Sequence, residues 1–332
     1  MADSGLSKIK DARERVSANA RVKGKIDISI DELIDLAQDS NQLVAHPDRV
    51  RATLNFGLNQ SVRRGQGMEY AESRPWVAGD DVRNMDWRVT ARTGRPHTKL
   101  FEDERDQPWI VVVDLRSAMA FGSRTRFKSV QAARVAALLS WAGTSLGNRV
   151  GGAVLTDTGL RVLPASRGRS SVMRFFKAMS SVVIPEDRRA VVDPPNFGVF
   201  DRLYASAPET SVVFIISDFS GFSNESFREI ARIGATRSLV AIRIADALET
   251  LELPKGRYPV TDGERRNMVG IAGDEDRTSW LGAMTAIAET AKKRVASTGA
   301  RYATVTAHDD PVLELRRLLN NETDVQDTGT DS

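Results

Sequence analysis

Apolar positions in this chain come in unbroken runs separated by stretches of helical spacing. "WIVVVDL" (109–115) and "SVVFIISDFS" (211–220) do not alternate, so both faces of each strand must be covered. Both runs lead into an acid, Asp114 and Asp218. Between them, "RTRFKSVQAARVAALLSWAGTSLG" (124–147) sets Phe127, Val130, Ala133, Ala137, Leu138 and Trp141 at the spacing of a long helix. "RVGGAVLTD" and "GLRVLPA" predict a strand pair around a Thr-Asp-Thr-Gly turn, and "SSVMRFFKAMSSVV" predicts an amphipathic helix. A helix at 224–235, a strand at "SLVAIRIAD", a closing helix at "TSWLGAMTAIAETAKKRVASTG" and a last strand at "RYATVTAH" complete the alternation.

Strands alternating with helices predict an α/β fold: a doubly wound, mainly parallel sheet covered on both faces. Such sheets bind ligands beyond the carboxyl ends of their strands, which puts Asp114 and Asp218 on the candidate face. This domain is expected over 108–318, with a hairpin insertion near 254–272 signalled by the Thr-Asp-Gly turn in "GRYPVTDGERRNMVGI". Ahead of it, 29–107 reads as a short helix plus a β-rich subdomain. Asp31 is the expected cap of the helix at "SIDELIDLA", and "GQGMEYAES" and "RPHTKLFEDERD" are the expected strands. Residues 1–28 are expected to be a mobile basic N-terminus and 319–332 an acidic disordered tail.

Composition is that of a globular protein, 41% hydrophobic and 27% charged, with a net charge of +3. That small excess gives no basic surface, so no nucleic-acid partner is expected, and membrane contact would be peripheral at most. No run reaches the length of a membrane span, and the first residues lack the apolar core of a secretory signal. The absence of cysteine excludes disulfides, thiolate nucleophiles and Cys-ligated zinc, and cytoplasm is the expected location. No G-x-x-x-x-G-K-[ST] or G-x-S-x-G occurs, and His46, His97 and His308 have no metal-ligand spacing.

"RPWVAGDDVRNMDWR" (74–88) concentrates charge and aromatic rings. Together with the residues on either side it resembles the signature of domain-of-unknown-function family fifty-eight, roughly G-x-G-x-E-F-x-E-x-R-x-Y-x-x-G-D-D-x-R-x-I-D-W-x-x-[ST]-A-R followed by a strand and D-x-S-x-S-M. The matching positions are Gly65, Gly67, Glu69, Arg74, Gly79, Asp80, Asp81, Arg83, Asp86, Trp87 and Arg92, with Trp76 at the position of the pattern's Tyr. The resemblance implies a β-rich segment joined to a von Willebrand factor A-like α/β domain. It also implies a partner, a MoxR-type AAA+ ATPase encoded nearby, and protein clients that the two mature or remodel. No enzymatic activity is attached to the family.

In von Willebrand factor A domains, D-x-S-x-S at the strand end holds a divalent ion, usually Mg²⁺, with a later Asp. Asp114 and Asp218 match those acids. The serine positions do not match: they are Arg116 and Ala118, with Ser117 displaced between them. At about 5 Å and an effective dielectric of about 20, a +1/+2 pair repels by roughly 7 kcal/mol. The expectation is a degenerate site without cofactor, in which Arg116 pairs with Asp114 or Asp218 and replaces the metal. A metal-dependent protein-binding module is the alternative.

Three readings compete for 74–88. The first makes Asp80, Asp81 and Asp86 the acids of a hydrolase, but Arg74, Arg83, Arg88 and Arg92 crowd them and favour the ionised form. The second is structural: Asp80 or Asp81 caps a helical turn through Trp87, and Trp76 and Trp87 pack against the sheet domain, bracing the strand-end face. The third is partner docking through Trp and Arg. The resulting expectation is a non-catalytic adaptor that binds through the strand-end face.

Overall fold

The computed structural model describes residues 27–54, 68–77, 80–103, 107–123, 125–182, 198–250, 253–261 and 266–321. The basic N-terminus up to residue 26, the tail beyond 321, Gly65, Gly67, Gly79 and the side chain of Glu69 lie outside the described residues.

The chain opens with two short helices, α1 (Ile30–Asp35) and α2 (Ala37–Ser40), a 3-10 turn (Asn41–Val44) and α3 (Pro47–Leu54). Ser29, not Asp31, is the N-cap of α1; Ser29 is extended (φ −91°, ψ 127°), whereas Asp31 already lies in the first turn. A hairpin follows, β1 (Met68–Pro75) and β2 (His97–Asp103), antiparallel with an irregularity between Tyr70 and Glu72. Its tip carries a 3-10 turn (Val82–Asn84) and α4 (Trp87–Thr93).

The main body contains β3 (Trp109–Asp114), α5 (Lys128–Ser145), β4 (Val150–Thr156), β5 (Gly159–Ser166), α6 (Arg169–Ser180), α7 (Val199–Ser206), β6 (Val212–Ser217), α8 (Asn224–Thr236), β7 (Ser238–Ala245), α9 (Ala247–Thr250), β8 (Gly256–Thr261), β9 (Arg266–Ile271), α10 (Asp274–Ala296), β10 (Arg301–Thr306) and α11 (Pro311–Asn320). Six strands form one sheet in the order β10-β7-β6-β3-β4-β5, all parallel except β5. The winding reverses between β3 and β6, so the loops after these two strands diverge and leave a crevice at their carboxyl ends. β8 and β9 form the separate antiparallel hairpin anticipated near 254–272. The fold is therefore the von Willebrand factor A-like α/β arrangement with a small antiparallel N-terminal sheet.

Every residue of β3 and β6 is buried, as unbroken apolar strands require. Trp109, Val111 and Val113 face α5, α6 and α11, while Ile110 and Val112 face α7 and α8. α5 starts at Lys128 rather than at 124: the Lys128 N–H donates to the Phe121 carbonyl (2.7 Å) and Phe127 is extended. Gly152 in β4 lets the Phe175 ring lie where a Cβ would stand, 2.3 Å from that point.

One feature of 29–107 differs from expectation. The helices of 30–54 pack into the core of the sheet rather than with the hairpin: Leu33, Leu36, Leu43, Val50 and Leu54 are buried against α5 and α11. Trp141 Nε1 donates to the Leu33 carbonyl (2.9 Å), and Arg134 pairs with Glu32. The β1–β2 hairpin joins the body at the amino-terminal edge of the sheet. The Leu54 carbonyl accepts from Ser238, first residue of β7, and Asp103 is six residues from Trp109, first residue of β3.

Candidate functional site

The strand-end face is built around Asp114, which closes β3. Its Oδ1 accepts the Arg116 backbone N–H (3.1 Å) and Nε (3.0 Å), and its Oδ2 accepts Arg116 Nη2 (2.7 Å) and the Ser217 hydroxyl (2.6 Å). Arg116 Nη2 also donates to the Ser220 carbonyl (3.1 Å), and the guanidinium carbon stands 4.6 Å from the centre of the Phe222 ring. The side chains of Arg116 and Asp114 are 1% and 2% exposed. Burial works against the guanidinium charge, but the Asp114 carboxylate outweighs it and Arg116 holds its proton more firmly than usual.

A second buried pair sits beside the first. Lys128 Nζ, at the start of α5, lies 2.5 Å from Asp218 Oδ2 and 3.6 Å from Glu249. Asp218 Oδ1 accepts from the Ser220 backbone N–H (2.9 Å) and hydroxyl (2.7 Å). Burial would raise the Asp218 pKa, yet the Lys128 ammonium and the Ser220 donors bring it below the ordinary carboxylate value. Burial likewise opposes the Lys128 charge, and Asp218 and Glu249 reverse it, raising the Lys128 pKa. Between these residues Phe219 takes a left-handed conformation (φ 59°), uncommon for a bulky residue and held here by an N–H bond to Ser217 Oγ (2.9 Å).

The remaining loops are tied to the same centre. The Ser117 N–H and hydroxyl donate to Asp157 in the β4–β5 turn (3.1–3.2 Å), and the Ser123 N–H donates to Asp246 after β7 (2.9 Å). Four loops are thus clamped over one strand-end crevice. Phe121 projects from the first of them, 44% exposed. A cleft of about 450 Å³ opens beside Asp157, bounded by Leu115, Val154, Arg161, Val182 and Arg202.

This chemistry does not fit a divalent ion. Both Asp114 oxygens are engaged by Arg116, Asp218 is engaged by Lys128, Ala118 has no oxygen to offer, and a guanidinium fills the position opposite Asp114. Among the described residues no group of three His, Cys, Asp or Glu side chains is placed to hold a metal. Arg116 pairs with Asp114 rather than Asp218, because the latter has its own cation. Lys128, Asp157, Ser217 and Phe121 belong to this site and were not singled out from sequence. A lysine at a helix start reads as solvated, and only the tertiary fold brings it to Asp218.

In the signature stretch the acids bind groups of their own hairpin, Asp86 buried and Asp81 exposed. Asp80 accepts Arg74 Nη2 (2.6 Å) and the Val77 N–H (3.0 Å). Asp81 caps the 3-10 turn through the Arg83 N–H (2.9 Å). Asp86, not Asp80 or Asp81, caps the helix through Trp87: it accepts the Arg88 and Val89 N–H groups (3.1 Å each) and the Ser73 hydroxyl (2.6 Å). Arg74 keeps the Asp80 pKa below the ordinary value, and Ser73 does the same for Asp86. Trp87 is 66% exposed, so it does not pack against the sheet domain; Trp76 is half-buried. The capping role of Asp86 turns α4 so that Trp87 points to solvent. Val77, Val82, Arg83, Arg88 and Arg92 are exposed with it.

Comparison with known proteins agrees with the resemblance. The family model described as "Protein of unknown function DUF58" matches residues 72–288. Uncharacterized proteins of Mycobacterium bovis and Mycobacterium tuberculosis are 31% identical over 190 residues, 57% of this chain and 58% of theirs. The match thus spans less than two thirds of those relatives. Among solved structures, the conserved hypothetical protein BatB from Bacteroides thetaiotaomicron aligns over 65% of this chain and 98% of its own, with 12% identity and a TM-score of 0.40. An aerotolerance-related membrane protein from Bacteroides fragilis aligns with the same coverage, 13% identity and a TM-score of 0.39.

Proposed function

The chain belongs to the DUF58 family, and from that membership we propose a non-catalytic, protein-binding adaptor that works with a MoxR-type AAA+ ATPase on client proteins. The observation that carries this reading is the clamped strand-end face. Arg116, Lys128 and their carboxylates, together with the Ser117–Asp157 and Ser123–Asp246 bonds, fix four loops, and the fixed loops present Phe121 to solvent. An exposed aromatic on a rigid rim suits a binding hot spot, since little side-chain freedom is lost on contact. Against a hydrolase stand Asp80 and Asp86, whose pKa values are lowered by hydrogen bonds from Arg74 and Ser73, so that they are poor proton donors at neutral pH.

The test is direct binding between the purified chain and a MoxR-type AAA+ ATPase of the same organism, with ATP turnover followed in parallel. Phe121→Ser should weaken binding at least about tenfold, equivalent to about 1.4 kcal/mol, with unchanged thermal stability. If the ATPase neither binds the chain nor changes its turnover, the adaptor reading fails. Exposed Val77, Val82 and Trp87 favour a second contact on the signature hairpin; if Trp87→Ala abolishes binding while Phe121→Ser leaves it intact, contact is through the hairpin instead.

A further inference from the structure

α10 is twenty-three residues long, about 35 Å, yet Val295 is its one buried residue. Its inner side leans on the body through Trp280, whose Nε1 donates to the Leu248 carbonyl (3.0 Å), and through Arg294, stacked over Phe227. The opposite side is open. Ser279, Ala283, Ala286 and Thr290 are exposed at steps of four, three and four residues, and Ile287 beside them is 57% exposed. Gly282 lies among them with nothing within 4 Å of where its Cβ would stand. Packing within the chain therefore does not require a glycine that weakens the helix. Steps of three and four are those of a seam between paired helices.

The charges continue that seam. Three residues beyond each end lie Asp276, in the first turn, whose Oδ2 accepts the Ala272 and Gly273 N–H groups and whose Oδ1 remains for a partner, and Lys293, in the last, both exposed. The pattern is self-complementary about a point between residues 284 and 285. In an antiparallel pair with a two-fold axis there, Asp276 meets Lys293 of the second copy, Ser279 meets Thr290, and Ala283 meets Ala286. A parallel pair would oppose like charges at both ends. We propose that α10 is a self-association helix, pairing antiparallel with α10 of a second copy of this chain. Met268, 55% exposed, lies on β9, the strand that contacts α10. A face this narrow is smaller than the ~800 Å² per partner of a standard interface, so the dimer should dissociate at roughly micromolar concentration.

Sedimentation velocity of the full chain from about 1 to 100 µM tests the pairing, since association read this way should double the mass. Ala286→Arg, on the open side of the helix, should keep the native circular dichroism and remain monomeric throughout. Lys293→Glu should raise the dissociation constant at least about tenfold. Orientation is read by crosslinking, because the chain has no cysteine. Ser279→Cys with Thr290→Cys should form a covalent dimer on mild oxidation, whereas either single variant should not. In the antiparallel pair, like positions are about 16 Å apart along the helix, too far for a disulfide. A monomer at about 100 µM, a dimer indifferent to Ala286→Arg, or crosslinking by a single cysteine would each overturn the proposal.

Discussion

Arg116 lies bidentate on Asp114, Nε to Oδ1 at 3.0 Å and Nη2 to Oδ2 at 2.7 Å, with neither side chain reaching solvent. Removing one member of such a pair leaves the other charge buried and uncompensated. Arg116→Ala should therefore cost about 3–5 kcal/mol in urea unfolding. Replacing both partners, as Arg116→Met with Asp114→Leu, should recover much of the loss. A single variant as stable as the native chain would show the pair to be dispensable.

The same pair sets the response to metal. With a guanidinium opposite Asp114, Mg²⁺ would have to displace a charge-assisted, two-point contact. The native melting temperature should not move with about 10 mM Mg²⁺ or with chelator. Arg116→Ser with Ala118→Ser restores two hydroxyls and removes the cation, so Mg²⁺ should raise the melting temperature of that variant alone. Stabilisation of the native chain by Mg²⁺ would contradict the geometry.

Lys128 and Asp218 predict the acid limb of stability. The folded-state pKa of Asp218 is depressed, so its contribution is complete above the ordinary carboxylate value and is lost as pH falls through the depressed one. The Lys128 pKa is raised, so its contribution is complete below the ordinary lysine value and is lost only as pH climbs through the raised one. The pair should therefore give flat stability from about pH 4 to 10. In Lys128→Met the buried Asp218 loses its cation and its pKa is no longer held down, so the variant should be less stable at neutral pH but should lose less stability on acidification than the native chain. An equal loss of urea-unfolding stability between about pH 7 and pH 3 in the two chains would show that the ion pair does not carry that limb.

The sheet was legible because "WIVVVDL" and "SVVFIIS" are apolar at every position, a pattern that burial on both faces explains. The strand-end acids were legible for the same reason, since they terminate those runs. α3 and α7 were missed because each is only eight residues long, too short for its periodicity to stand out. α11 had a usable signal that was passed over: Asp310 as N-cap, Pro311 at the first position, then Val312, Leu315 and Leu318–Leu319 on one side. Trp87 was misplaced because aromatic rings are usually buried, and sequence does not reveal that the Asp86 cap turns α4 outward. Lys128 had no local signal at all.

Leu43 offers a test of how far the α/β body extends toward the N-terminus. It sits in the 3-10 turn between α2 and α3, is fully buried, and its carbonyl accepts from Asn320 Nδ2 of α11 (3.2 Å). A helical segment merely attached to the β-rich hairpin would tolerate truncation there. One integral to the sheet core would not, because the cavity opens between α5 and α11. Leu43→Ala should cost about 2–5 kcal/mol, in a single cooperative transition. Asn41→Ala, an exposed change two residues away, should stay within about 0.5 kcal/mol. A loss below about 1 kcal/mol for Leu43→Ala, or a separate early transition, would make 30–54 an accessory layer rather than part of the core.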